Sequence, residues 1–157
     1  IELPKKLTVK ENLIVYARLY NVNKLYDRID YLVETLNLKN FINQKTGELS
    51  SGQKNRVSLA KSLINTPSIL LLDEPTASLD PDTGDFVRSF LEKYIKENTV
   101  SILLASHNMN EVKRLCSNVL MMKNGKIIDE GTPNQLLKKH GQDNLEEVFL
   151  KLSRNEK

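Results

Sequence analysis

Apolar side chains recur at three- and four-residue steps through the first part of the chain, then gather into short unbroken runs. Leu13, Ala17 and Tyr20, with Val9 and Tyr16, line one face of a helix expected over residues 9–20. Thr8-Val9-Lys10-Glu11 has the spacing of a capping box, in which a hydroxyl and a carboxylate satisfy the first free amides. Leu25, Ile29, Leu32, Val33 and Leu36 repeat the pattern over residues 24–38, and Val57, Leu59, Ala60, Leu63 and Ile64 repeat it after Ser51. Residues 1–66 therefore read as an all-helical lobe.

Beyond residue 66 the period changes. Residues 68–73 and 99–106 are short apolar runs, and amphipathic stretches at 82–96 and 110–116 follow them. That alternation predicts parallel strands joined by helical crossovers, the first of them buried on both faces. Residues 119–123 and 126–130 flank Asn124-Gly125, a dipeptide suited to the positive φ angles of a two-residue hairpin turn. The hairpin is expected to close the sheet. Thr132-Pro133 opens a helix to about His140, which Gly141 ends. Leu145, Val148, Phe149 and Leu152 form a last helical stripe, with residues 153–157 expected as a frayed tail. The divisions are thus a helical lobe at 1–66, an α/β core at 67–143, and a C-terminal helix and tail at 144–157.

Composition narrows the function classes. The chain of 157 residues is 39% hydrophobic and 27% charged, near globular values and against wholesale disorder. Its 23 Lys and Arg against 20 Asp and Glu are spread along the sequence, which gives no footprint of a nucleic-acid binder. Cys116 is the sole cysteine, so neither an intramolecular disulfide nor a CxxC metal knuckle exists. No apolar run approaches the roughly 20 residues that cross a bilayer. A start at Ile1, close to a well-formed helix start, leads us to expect a piece of a longer protein.

Chemistry concentrates in a few segments. Ser68-Ile69-Leu70-Leu71-Leu72-Asp73-Glu74-Pro75 is an apolar strand ending in two carboxylates, and ligands of open α/β sheets bind beyond such strand ends. Asp73 is placed to hold Mg²⁺ and Glu74 to orient or deprotonate water; read alone, the segment fits a solvent-exposed strand end as well. Leu49-Ser50-Ser51-Gly52-Gln53 opens a helix whose free amides suit an anion, with Ser50 and Gly52 at close approach; read alone, it fits an ordinary serine cap. His107 follows the second strand, whereas His140 lies in a last helical turn and is assigned no chemistry.

Taken together, these segments resemble ATP-binding-cassette (ABC) ATPases. Leu49 to Gln53 is similar to the family signature, Leu70 to Pro75 to its Walker B strand, Ser78-Leu79-Asp80 to its D-loop, and Ala105-Ser106-His107-Asn108 to its switch-histidine loop. Leu7 to Leu13 is similar to the stretch after the Q-loop, so the resemblance covers essentially the whole chain. Ser51 stands where glycine is more usual, and no GxxxxGK[S/T] phosphate loop occurs. The resemblance implies a partial P-loop NTPase (RecA-like) core, with a mostly parallel sheet and a C-terminal β-hairpin, beside the helical lobe.

It also implies ATP and Mg²⁺ as cofactors, with Glu74 and His107 catalytic and Asp73 on the metal. Ser50, Ser51, Gly52, Gln53 and Asp80 would contact nucleotide, the signature acting across a head-to-tail dimer of ATPase domains. Integral membrane permease subunits would be the other partners, on the cytoplasmic face of the membrane. Gly131-Thr132-Pro133 and Leu145-Glu146-Glu147-Val148-Phe149-Leu150 are similar to drug, lipid or polysaccharide exporters. By family topology the edge of the second strand would be bare in this chain and would self-associate. The chain alone is expected to be inactive without a phosphate loop. Competing classes are a non-transport ABC ATPase of the DNA-repair or translation type and a non-catalytic assembly module.

Overall fold

A computed structural model describes residues 3–77 and 79–154. Ser78 of the expected D-loop and residues 155–157 of the expected tail lie outside the described residues. The chain divides into two compact units, Ile1–Leu71 with Pro75–Leu103, and Leu72–Glu74 with Leu104–Lys157. Among the described residues no helix is long and apolar enough to cross a membrane.

Among its described residues the first unit holds four α-helices, the first three of which form a lobe. In α1 (Val9–Leu19) the expected capping box is present: the Thr8 hydroxyl accepts from the Glu11 amide at 3.2 Å, and the Glu11 carboxylate accepts from the Thr8 amide at 2.8 Å. Helix α1 ends as expected, with Tyr20 as its C-cap, whereas α2 (Leu25–Thr35) stops earlier than periodicity alone implies. At each end an asparagine takes a left-handed backbone, Asn21 with φ 49° and Asn37 with φ 53°. Val22 and Leu38 then donate back to the Ala17 and Val33 carbonyls at 2.9 Å, satisfying carbonyls the helix leaves open. Short 3₁₀ turns at Lys39–Phe41 and Thr46–Glu48 lead to α3 (Ser51–Leu63). Val9, Leu13, Ala17, Ile29, Leu32, Leu36, Leu38, Phe41, Val57, Ala60 and Leu63 are buried and make the core, as their spacing requires.

Strands β1 (Ile69–Asp73) and β2 (Ser101–Ala105) pair on either side of the crossover helix α4 (Pro81–Glu97). Ser101 donates to the Ser68 carbonyl at 2.9 Å and Glu74 to the Ala105 carbonyl at 2.8 Å, so both strands run the same way. Their burial differs from expectation. Leu70 is buried, but Ile69, Leu71 and Leu103 are 65%, 70% and 64% exposed. An apolar run states what its side chains prefer, and among the described residues nothing covers these three.

The second unit takes the ends of that strand pair, then α5 (Met109–Leu115), the hairpin β3 (Val119–Lys123) and β4 (Lys126–Gly131), α6 (Pro133–His140) and α7 (Leu145–Arg154). Asn124 and Gly125 have φ of 51° and 73°, the two positive values a tight hairpin turn demands. This hairpin makes its own two-stranded sheet rather than closing the first. Val112, Val119, Met121, Leu136, Leu145 and Val148 form the core beneath it. The last helix runs through Arg154, past the point where fraying was expected.

A register shift between Met121 and Met122 marks a bulge: Met121 faces Asp129, while Met122 faces Ile127. The extra residue, Ile128, breaks the in–out alternation and leaves Asp129 inside, 8% exposed. Its carboxylate accepts from Lys139 Nζ at 2.6 Å and from the Glu130 amide at 2.8 Å, and meets His140 Nε2 at 2.6 Å. Lys151 Nζ, on α7, donates to the His140 carbonyl at 2.9 Å. His140, without chemistry in the sequence reading, thus ties β4 to α6 and α7.

Candidate functional site

In the second unit β1 ends in the carboxylates of Asp73 and Glu74. Glu74 has φ 47°, a left-handed backbone that costs a side-chain-bearing residue about 1–2 kcal/mol. Its own contacts oppose that cost. The Glu74 amide donates to Ala105, and Glu74 Oε1 accepts from the His107 amide at 3.0 Å and meets His107 Nδ1 at 2.7 Å. The carboxylate and imidazole that sequence reading separated by 33 residues therefore stand in direct contact.

The hydrogen bond to Glu74, and then the Glu74 charge, hold His107 above the ordinary histidine value of 6.5. A raised folded-state value stabilises the fold fully below the unfolded value and loses its effect as pH rises through the folded one. The pair accordingly contributes most in mildly acidic solution and least in alkaline solution. A carboxylate at a strand end with an imidazole on one oxygen is an arrangement that accepts or relays a proton.

Asp73 is exposed beside this pair. Among the described residues no group of three or more His, Cys, Asp or Glu gathers for a metal ion. Mg²⁺ needs no such cage, because one or two carboxylates hold it while phosphate and water oxygens complete the octahedron. The single carboxylate at the strand end fits that requirement.

In the first unit Ser50 caps α3. Its hydroxyl accepts from the Gln53 amide at 3.2 Å, and Gln53 Oε1 accepts from the Ser50 amide at 2.9 Å. This is a capping box, so the amides left without an intrahelical acceptor are those of Ser51 and Gly52 in the first turn. Ser50 and Ser51 are exposed and Gly52 is buried. An anion at this helix start would meet the Ser51 amide and the Ser50 and Ser51 hydroxyls, a donor set suited to phosphate.

Gly52 has a second reason to lack a side chain. A Cβ there would stand 3.2 Å from Thr83 Cγ2, on the first turn of α4. Asp80 caps that helix by accepting from the Thr83 amide at 2.9 Å, and this backbone hydrogen bond lowers its carboxyl below the ordinary value. Asp80 and Gly52 thus meet on one residue, Thr83. Gly52→Val is expected to destabilise the fold by about 1–3 kcal/mol through overpacking, measured by urea unfolding. Adding Thr83→Ser, which removes Cγ2 alone, should recover about half of the loss. No recovery would locate the cost elsewhere.

The sequence reading did not find the bond from Asn55 Nδ2 on α3 to the Pro75 carbonyl, at 2.6 Å. Nor did it find the tie from Ser106 Oγ to Glu111 Oε2, at 2.7 Å. The second carried a faint signal, since Asn108 and Glu111 have the spacing of a helix cap and its third residue.

Known proteins fit this geometry. A family model described as ABC transporter matches residues 1–77. The ABC transporter ATP-binding protein NatA of Bacillus subtilis (strain 168) is 33% identical over 147 residues, 92% of this chain and 59% of that protein. The Nod factor export ATP-binding protein I of Rhizobium sp. (strain N33) is 34% identical over 94% of this chain and 49% of its own length. The methionine import ATP-binding protein MetN 4 of Oceanobacillus iheyensis is 38% identical over 82% of this chain and 38% of its own. The chain therefore spans about three fifths or less of these relatives. Among solved structures, an ATP-binding subunit of an ABC transporter superposes with a TM-score of 0.85 at 22% identity, over 97% of this chain and 65% of that one. A dimeric post-hydrolysis ATP-binding cassette bound to ADP and Pi superposes with a TM-score of 0.75 at 27% identity, over 83% and 58%.

Proposed function

The chain belongs to the ABC transporter family of ATP-binding proteins, and from that premise we propose that it is the water-activating, signature-bearing part of a transport ATPase. The contact of Glu74 with His107 at the end of β1 carries the reading. Glu74 orients the attacking water and takes its proton, and His107 holds the transferred phosphoryl group and that water in line. Asp73 would hold Mg²⁺, which when bound neutralises charge on the phosphate oxygens. Ser50, Ser51, Gly52 and Gln53 present the α3 start to nucleotide bound by a second ATPase domain, arranged head to tail, with Asp80 at the same junction. The dimeric form of the cassette bound to ADP and Pi supports this pairing.

ATP binding then favours the closed dimer, and hydrolysis reopens it, a shift between two arrangements of one assembly. Permease subunits would receive that motion on the cytoplasmic face of the membrane. We assign export as the direction from the C-terminal resemblance, which the Nod factor export relative supports; the methionine import relative weighs on the other side.

Sedimentation tests the pairing. A subunit containing this chain should pass from monomer to dimer on adding ATP with Mg²⁺, and Ser50→Arg should block the passage. A dimer indifferent to ATP would remove the basis of the proposal. The 157-residue chain alone should hydrolyse no ATP and should self-associate at high concentration, because Ile69, Leu71 and Leu103 present an apolar strand face.

A further inference from the structure

Glu111 is 1% exposed on α5 and has no part in the function proposed above. Its Oε2 accepts from the Ser106 hydroxyl at 2.7 Å, and the same hydroxyl oxygen accepts from the Asn108 amide at 3.1 Å. Asn108 Oδ1 in turn accepts from the Asn110 amide at 3.1 Å and from the Glu111 amide at 3.2 Å. These bonds close a ring through residues 106, 108 and 111. His107 is held between two members of that ring while its own amide and ring nitrogen face Glu74.

We propose that Glu111 is a positioning residue for ATP hydrolysis: its buried carboxylate locks the Ser106-His107-Asn108 turn and so sets where the His107 imidazole stands beside Glu74. This rests on the assignment of Glu74 and His107 to the reaction. The His107 side chain is 80% exposed, so packing does not hold it, and its place comes from the backbone on either side. That backbone depends on the direction of one hydroxyl. The Ser106 hydroxyl has one proton to give and lone pairs to accept with: the proton goes to Glu111 Oε2 while the oxygen accepts from the Asn108 amide, so the carboxylate fixes the hydroxyl's direction. The 2.7 Å separation is that of a strong hydroxyl–carboxylate bond. Asn108 caps α5 by accepting from the Asn110 and Glu111 amides, a task separate from the bond of the Glu111 carboxylate to Ser106. A buried acid reaching back five residues to a hydroxyl serves the turn before the helix.

The test uses Ser106→Ala, which removes the hydroxyl and keeps the Glu111 carboxylate, Glu111→Met, which removes the acceptor at similar volume, and Glu111→Gln, which keeps an acceptor oxygen. The chain holds 2 histidines, so His107 can be followed by its imidazole NMR signals. Wild-type His107 should titrate above 6.5, held there first by the hydrogen bond and charge of Glu74 and least by the charge of Glu111, which Ser106→Ala leaves in place. Ser106→Ala and Glu111→Met should bring the midpoint down toward 6.5, and Glu111→Gln should restore most of the rise. In the ATPase subunit the first two variants should lower kcat about tenfold or more with KM for ATP within about twofold, and Glu111→Gln should recover most of kcat. A folded Ser106→Ala variant whose His107 midpoint does not move overturns the inference. So does a moved midpoint with undiminished kcat. A wild-type subunit that hydrolyses no ATP would instead overturn the function proposed for the site, leaving the His107 titration to judge the turn alone.

Discussion

Glu74→Gln lowers ATP turnover by about 10²- to 10⁴-fold, the usual worth of a positioned general base, while ATP affinity stays within a few-fold. The structure makes this substitution selective. Glutamine keeps the side-chain length and an acceptor oxygen, so the His107 amide, 3.0 Å from Glu74 Oε1, retains its partner. The backbone bond from residue 74 to Ala105 does not involve the side chain at all. Basicity is what disappears, and with it the step that takes a proton from water. Single-turnover hydrolysis alongside equilibrium ATP binding separates the two effects. Turnover at the wild-type rate would remove Glu74 from the chemistry, and a parallel loss of binding would mean that its role is to hold the site together.

Asp129→Asn has the largest effect expected on stability. Asp129 is 8% exposed, and the hydrogen bonds from Lys139 and His140 hold its carboxyl at about 2, against 3.8 for an ordinary aspartate. A depressed folded-state value stabilises above the unfolded value and is lost as pH falls through the folded one, here between about 4 and 2. The difference is worth on the order of 2 kcal/mol at neutral pH. Asparagine removes the charge at nearly constant volume. Lys139 is 62% exposed and can return to water, but His140 is 14% exposed and loses its charged partner. We expect a loss of about 2–4 kcal/mol, read by urea unfolding at pH 7. The acid limb supplies the control: wild type should lose stability between pH 4 and pH 2 by an amount that Asp129→Asn lacks. Coincident acid limbs would discard the argument.

Local rules were legible wherever a few adjacent residues decide the outcome. Thr8 with Glu11, Asn124-Gly125 and Thr132-Pro133 each produced the cap or turn expected of them, because the groups that satisfy one another lie within about four positions. The helix end before Asn37 was overrun because periodicity reports which face is apolar and is silent about where an asparagine turns left-handed. The apolar run of β1 announced a strand correctly but not its surroundings, since hydropathy cannot say whether a neighbour is in place. The candidate site divides in the same way. The acids at 73 and 74 and the histidine at 107 were visible as residue types at strand ends, whereas their contact depends on the pairing of two strands across a helix. Asp129 was invisible for a subtler reason: the bulge at Ile128 inverts its side, and nothing in the alternation of β4 announces an extra residue.

The left-handed backbone at Glu74 bears on how this chain can be redesigned. A procedure that chose each amino acid for its compatibility with the fold would write glycine or asparagine there, since both accept positive φ more readily than glutamate. The carboxylate is therefore information that the scaffold does not request. Sequence positions of this kind, where the written residue and the one the backbone prefers disagree, need to be fixed by hand before any stability-driven optimisation begins. Otherwise the improved protein would be sturdier and silent.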